Sequence, residues 1–217
     1  MQSWVQSAAG SGFGLENLPF GAVGDPARLA VRIGDRALLL EPLAAAGLLG
    51  DLPPEAVSGP VLNPLLALGR PAWSALRARL RELLREGAAE RERIEPALVA
   101  LADAPPRLPL AIGDYVDFYS SLEHATNLGR MFRPGAEPLL ENWRRLPVGY
   151  HGRASSVVVS GTPVRRPHGQ LPPAEPGGAP RFGPTERLDI ELELGFVTGP
   201  GNPLGTPIAA GEAAERI

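Results

Sequence analysis

Three acidic side chains near the end of the chain are spaced so that they could hold a cation. In LDIELELGF, residues 188–196, Asp189, Glu191 and Glu193 alternate with apolar residues. An extended strand would place the carboxylates on one face, with neighbours roughly 6.6 Å apart. Like charges at that distance repel unless water, an arginine or a cation compensates them. The residues alone leave two interpretations open, a solvated edge-strand face or a divalent-cation site.

A second polar stretch carries residues suited to acid–base chemistry. DYVDFYSSLEHATNLGRMFR, residues 114–133, contains Asp117, Tyr119 and His124 within eight positions. A histidine here could be a packed, hydrogen-bonded side chain or a proton-transfer group. The neighbouring carboxylate and hydroxyl favour the second interpretation.

The third stretch is LPVGYHGRASSVVVSG, residues 146–161, in which Tyr150 and His151 stand between two glycines. Glycines on both sides indicate a backbone that turns sharply, where exposed functional side chains often lie. A plain entry into a hairpin would produce the same composition.

A short helix is expected to position the histidine. Ser120 followed by Glu123 matches a capping box, and Gly129 matches a helix stop. The pattern predicts a helix over residues 121–128, with His124 on its second turn.

The first hundred residues predict a small β unit followed by helices. Residues 13–42 alternate as short strands, with a hairpin turn at Gly34 and Asp35. The leucine spacing after Pro71 predicts a helix over 71–86 that stops at Gly87. A second helix is predicted over residues 95–102.

A proline-rich stretch, DAPPRLPL, residues 103–110, cannot continue a helix and predicts a domain boundary. Beyond it we expect strands and loops with one short helix. The Pro/Gly-rich residues 165–184 predict a long loop. The final GEAAERI predicts the opening turns of a helix.

The composition excludes several classes of chemistry. The 217 residues include no cysteine, and all 21 basic residues are arginine, so a thiol nucleophile, a thiolate metal site and a lysine Schiff base are excluded on this chain. The formal net charge is −3 and the arginines are scattered, so we expect no nucleic-acid partner. No signal peptide or membrane-spanning run is evident, and we expect a cytoplasmic protein without membrane contact.

These stretches together resemble the fumarylacetoacetase family. The resemblance rests on the three stretches quoted above, and NLPFG and LNPLLALGRPAW extend it through the first hundred residues. The acidic residues recur across a broader superfamily of acylpyruvate hydrolases, isomerases and decarboxylases, whereas the tyrosine and histidine stretches resemble fumarylacetoacetases in particular.

The resemblance implies a role for seven residues. It implies that Asp117, Glu191 and Glu193 bind a divalent cation, Ca²⁺ and/or Mg²⁺, and that His124 is the general base. The substrate-binding residues that it implies are Tyr119, Arg133 and Tyr150. No role transfers to Asp189 or His151.

The implied activity is metal-dependent hydrolysis of the carbon–carbon bond of 4-fumarylacetoacetate to fumarate and acetoacetate, the last step of tyrosine catabolism. The implied fold is mainly β with some helix. A small SH3-like β-barrel would occupy residues 1–106, and residues 107–217 would form the first part of a mixed-β catalytic roll. The resemblance also implies a homodimer.

The family's chain continues past the position of Ile217, and its continuation carries a further acidic metal ligand, a lysine, a glutamine and the glutamate that orients the histidine. We therefore expect this chain to be the N-terminal part of such an enzyme, inactive alone and prone to associate. The alternative is a non-catalytic truncated domain that binds a divalent cation weakly or not at all.

Overall fold

A computed structural model describes residues 2–217, which divide into two compact units. The first unit comprises the chain up to Pro109 together with Val159–Ile217, and the second is Leu110–Val158. The predicted boundary between residues 106 and 107 stays a prediction.

The fold is a mixture of helices and antiparallel strands. The strands are β1 Phe20–Val23, β2 Arg28–Ile33, β3 Arg36–Leu39, β4 Leu98–Ala100, β5 Pro106–Arg107, β6 Val116–Phe118, β7 Gly149–His151, β8 His168–Leu171 and β9 Arg181–Pro184. The α-helices are α1 Leu40–Ala45, α2 Asn63–Leu66, α3 Arg70–Leu84, α4 Arg91–Ile94 and α5 Leu122–Phe132. Short 3-10 helices lie at Gln6–Ala8, Pro54–Ala56, Glu95–Ala97, Leu101–Asp103, Glu141–Arg144, Ala154–Ser156 and Ala210–Arg216.

The first unit is built on a five-stranded antiparallel sheet in the order β4-β3-β2-β1-β5. The predicted hairpin is confirmed, since Ile33 pairs with Arg36 around Gly34, whose φ of +57° is a conformation that favours glycine. The sheet is open within residues 2–217, with β4 and β5 at its edges. The SH3-like barrel therefore stays a prediction.

The long helix α3 confirms the predicted helix in this region. Pro71 lies in its first turn, where its missing N–H costs no hydrogen bond. One stripe of leucines, Leu76, Leu80, Leu83 and Leu84, is buried. The amphipathic spacing therefore identified the face that enters the core.

The second predicted helix, over residues 95–102, is wrong. These residues form a 3-10 turn, then strand β4, then another 3-10 turn. Leu98 pairs with Leu38 and Ala100 with Arg36, so the edge of the sheet takes this segment. Hydrogen bonds to β3 outweighed the local helical preference.

Two expectations for the later part of the first unit also need correction. The predicted loop over residues 165–184 contains an antiparallel hairpin, β8 paired with β9. Residues 188–196, predicted as a strand, have neither helix nor strand structure. A strand needs a hydrogen-bonded neighbour, and within the described chain no strand pairs with this segment. Of the final GEAAERI, residues 211–216 lie in the 3-10 helix Ala210–Arg216.

The second unit is a small arrangement of β6, β7 and α5. Strands β6 and β7 pair antiparallel, with Val116 opposite His151 and Asp117 opposite Tyr150. In α5, Ala125 is fully buried and Gly129 is also buried. The unit brings two of the sequence stretches identified above into one hairpin.

None of the helices described within residues 2–217 is both long and apolar enough to span a bilayer.

Candidate active site

The β6–β7 hairpin brings Asp117 and Tyr150 together, although they are 33 residues apart in sequence. Asp117 and Tyr150 are paired directly opposite each other, so their side chains lie on the same face of the hairpin. The Tyr150 hydroxyl donates to Asp117 Oδ2 at 2.8 Å, and the Tyr115 hydroxyl donates to the same oxygen at 3.2 Å. Asp117 is half-buried, and both of these partners are neutral hydroxyls.

Tyr119 and His124 form a second pair in this unit. Their rings meet edge to face with centroids 5.7 Å apart. The Tyr119 hydroxyl donates to the Ala125 carbonyl at 3.2 Å, and Trp143 Nε1 donates to the Tyr119 carbonyl at 2.8 Å. These two hydrogen bonds anchor Tyr119 at its backbone and at its hydroxyl. Both Tyr119 and His124 are half-buried.

The helix that carries His124 begins and ends later than predicted. Its N-cap is Ser121 rather than Ser120, because the Ser121 Oγ accepts from the His124 N–H at 3.2 Å. Gly129 does not stop the helix. An added Cβ there would lie 2.0 Å from the Pro138 carbonyl oxygen, so this glycine permits a close backbone approach.

Asp114 and His151 form an exposed pair that sequence reasoning missed. His151 Nε2 lies 2.5 Å from Asp114 Oδ1. The Tyr115 N–H, which donates to the same oxygen at 2.7 Å, and then the His151 imidazole hold the pKa of Asp114 below its ordinary value of 3.8. His151 neighbours Tyr150 and therefore points to the opposite face of β7.

Arg133 lies immediately after α5 and is exposed. Its Nη2 donates to the Pro138 carbonyl oxygen at 2.5 Å. This hydrogen bond fixes one of the guanidinium nitrogens, Nη2. Its role in binding a substrate stays a prediction.

The remaining predicted ligands, Glu191 and Glu193, lie in the first unit, in the exposed segment without regular structure. Beside them, Asp189 Oδ1 accepts from the Ile190 N–H at 2.8 Å. Across residues 2–217, no group of three or more histidine, aspartate or glutamate side chains is arranged to hold a metal ion. The three-residue ligand set stays a prediction.

Tyr115 is another site residue that the sequence did not single out. The sequence contained a signal for Tyr115, because residues two apart on a strand share a face and Tyr115 precedes Asp117 by two. The Asp114–His151 pair had no such local signal, since it depends on the register between two distant strands.

Both halves of the chain match models of one protein family. Residues 16–109 match the model described as "Fumarylacetoacetase N-terminal". Residues 115–217 match the one described as "Fumarylacetoacetate (FAA) hydrolase C-terminal", and this second match contains the β6–β7 hairpin and helix α5. The two matches together describe a class of hydrolases in which a separate N-terminal domain precedes the hydrolase domain. The chain belongs to the fumarylacetoacetase family.

Curated relatives agree with the family models. The chain is 44% identical over 225 residues to "Fumarylacetoacetase" of Rattus norvegicus and 44% over 226 residues to that of Homo sapiens. It is 45% identical over 236 residues to the Caenorhabditis elegans protein of the same name. These alignments cover 99%, 99% and 100% of this chain, and 54% of each relative. The chain thus spans about half the length of the curated relatives it matches.

Proposed function

We propose that the protein acts as a fumarylacetoacetase, hydrolysing a carbon–carbon bond of 4-fumarylacetoacetate to give fumarate and acetoacetate at the end of tyrosine breakdown. The observation that carries the proposal is the Tyr150–Asp117 hydrogen bond in the unit that also holds the Tyr119–His124 pair. All four residues lie within the match to the hydrolase family. The names of the relatives supply the substrate.

We further propose that Asp117, Glu191 and Glu193 hold a divalent cation, Ca²⁺ or Mg²⁺. The donor chemistry fits these ions, because carboxylate oxygens are the ligands that hard cations prefer. Asp117 adds a structural argument, since its two hydroxyl partners carry no positive charge to compensate the carboxylate. When bound, the cation would polarise the substrate carbonyl and stabilise the enolate that leaves.

The side chains of this chain would carry the proton transfer and the binding. His124 would take a proton from the attacking water, and the water oxygen would form the new bond to the carbonyl carbon. The electron pair of the broken carbon–carbon bond would leave on the enolate, and a proton returned from His124, directly or through solvent, would convert the enolate to acetoacetate. The edge-to-face contact with the Tyr119 ring would fix the imidazole plane. Arg133 offers a planar fork to a substrate carboxylate, and the Tyr150 hydroxyl would orient a polar group.

The finer features of the fold and assembly are part of the same proposal. We propose an SH3-like barrel over residues 1–106 and a mixed-β catalytic roll that begins in residues 107–217. The separate family matches to residues 16–109 and 115–217 support two domains. We also propose a cytoplasmic homodimer, with a small-molecule substrate and no nucleic-acid or membrane partner.

Product analysis tests the proposed reaction. The complete product of the gene, incubated with 4-fumarylacetoacetate and Mg²⁺ or Ca²⁺, is expected to release fumarate and acetoacetate in equal amounts. A chelator should stop the release, and restored cation should restart it. Unchanged substrate in the presence of either cation would overturn the proposal.

One observation favours a second candidate function, a domain that binds a divalent cation weakly without catalysis. The described residues include no three-membered group of metal-ligating side chains, and Glu193 lies on an exposed, irregular segment. Calorimetric titration with Mg²⁺ and Ca²⁺ beside the product assay separates the two candidates. Weak cation binding without product formation would favour the second.

A further inference from the structure

We propose that Tyr115 is a positioning residue for Asp117 and holds its carboxylate in the orientation that receives the cation. This inference rests on the proposed cation site. Tyr115 immediately precedes β6 and lies two residues before Asp117 in an extension of the same pairing, so their side chains share a face. The Tyr115 hydroxyl reaches Asp117 Oδ2 at 3.2 Å, and Tyr150 reaches the same oxygen from β7 at 2.8 Å.

Gly152 makes room for the Tyr115 ring. An added Cβ at Gly152 would lie 2.1 Å from Cδ1 and 2.4 Å from Cε1 of that ring, which is closer than real atoms approach. The backbone is fixed at the same point, because the Gly152 N–H donates to the Tyr115 carbonyl at 2.9 Å. The ring can therefore lie across the hairpin only because residue 152 has no side chain.

The two hydroxyls determine which carboxylate oxygen faces a ligand. A carboxylate oxygen has two lone pairs, and the two donors use both of those on Oδ2. Neither hydroxyl uses Oδ1, and neither neutralises the charge. Donors from both strands thus restrict rotation of the carboxylate while its negative charge stays available. Hydrogen-bonded partners of this kind support ligating carboxylates, and their loss typically weakens metal affinity 10–100-fold.

The first test measures cation affinity in the complete product of the gene by calorimetry. Tyr115→Phe removes the hydroxyl and keeps the ring, and we expect its Kd for Mg²⁺ or Ca²⁺ to rise about tenfold. Gly152→Ala should act in the same direction by displacing the ring. Tyr119→Phe is the matched control, because the Tyr119 hydroxyl donates to the Ala125 carbonyl, and its cation Kd should change less than about twofold.

A purely structural role predicts a different result in thermal unfolding. If Tyr115 positions Asp117, then Tyr115→Phe should keep the Tm of the cation-free protein while reducing the rise in Tm that saturating cation produces in the unaltered protein. A cation Kd within twofold of the unaltered value would overturn the inference. The inference would also be overturned if the cation-free Tyr115→Phe protein had a lower Tm and this loss of stability accounted for the whole loss of cation affinity.

A crystal structure of cation-free Tyr115→Phe separates this inference from the proposed function. We expect the Asp117 carboxylate to rotate or to occupy more than one rotamer. An unchanged single rotamer would contradict the inference whatever the cation affinity. If the unaltered protein binds no cation but the carboxylate is released in Tyr115→Phe, the positioning role stands and the proposed cation site is wrong.

Discussion

At the scale of single residues, the proposed general base His124 is the residue to test first. If it activates water, His124→Gln should lower kcat about a hundredfold or more, the usual contribution of a positioned base. The cation Kd should stay the same, because His124 is not among the proposed ligands. Steady-state kinetics and calorimetry on the complete product check both expectations, and near-normal turnover would show that another group is the base.

The contacts of Asp114 predict a pH dependence that can be measured. Its pKa is lowered in the folded protein, so the favourable contacts with the Tyr115 N–H and with His151 are fully present above the ordinary value of 3.8 and are lost as the pH falls through the lower folded value. A ¹³C carboxyl titration by NMR should give an Asp114 pKa below 3.8. In His151→Gln the value should move part of the way back, because the Tyr115 N–H remains. A value at or above 3.8 in the unaltered protein would contradict the described contacts.

The sequence predicted which residues belong to the site better than it predicted the contacts that those residues make. Asp117, Tyr119 and His124 stand close together in the chain, and a family resemblance assigns each a role. The hydrogen bond from Tyr150 to Asp117 depends on the β6–β7 register, which places two residues opposite each other that are 33 positions apart. A pattern along one strand contains no information about that register.

At the scale of elements, Gly129 decides how α5 packs within its unit. Alanine in a helix interior is ordinarily favoured over glycine by up to about 1 kcal/mol. Here the added Cβ would lie 2.0 Å from the Pro138 carbonyl oxygen, so backbone must move. We expect Gly129→Ala to lower the free energy of unfolding by about 1–3 kcal/mol, the usual cost of overpacking.

Urea denaturation monitored by a probe in the second unit measures this effect. Gly113→Ala is the control, since an added Cβ there meets no atom within 4 Å, and its free energy of unfolding should change by less than about 0.5 kcal/mol. Equal stability of Gly129→Ala and the unaltered protein would show that the close approach is not maintained in solution.

Elements governed by local signals were predicted, and those governed by distant partners were not. The β2–β3 hairpin is set by its turn, and α3 by its leucine stripe, so both were recognised. Residues 95–102 looked helical because their pairing with β3 is invisible in the local sequence. Residues 188–196 have the alternation of a strand but no strand partner among residues 2–217.

At the scale of the whole chain, that segment also leaves apolar surface uncovered. Ile190, Leu192 and Leu194 are almost completely exposed. Contiguous exposed apolar side chains are typical of surfaces that associate with other protein. The expectation that the 217-residue chain associates in solution stays a prediction.

The central proposal is that Asp117, Glu191 and Glu193 bind a divalent cation that the hydrolysis requires. The direct test is the hydrolysis rate of the complete product as a function of Mg²⁺ or Ca²⁺ concentration. We predict that chelation abolishes the rate in the unaltered protein and that added cation restores it. Glu191→Ala should need about tenfold more cation and show a raised KM, because a ligating carboxylate contributes to affinity and the substrate is held through the ion. A rate that survives chelation, or the same cation dependence in Glu191→Ala and the unaltered protein, would contradict the account.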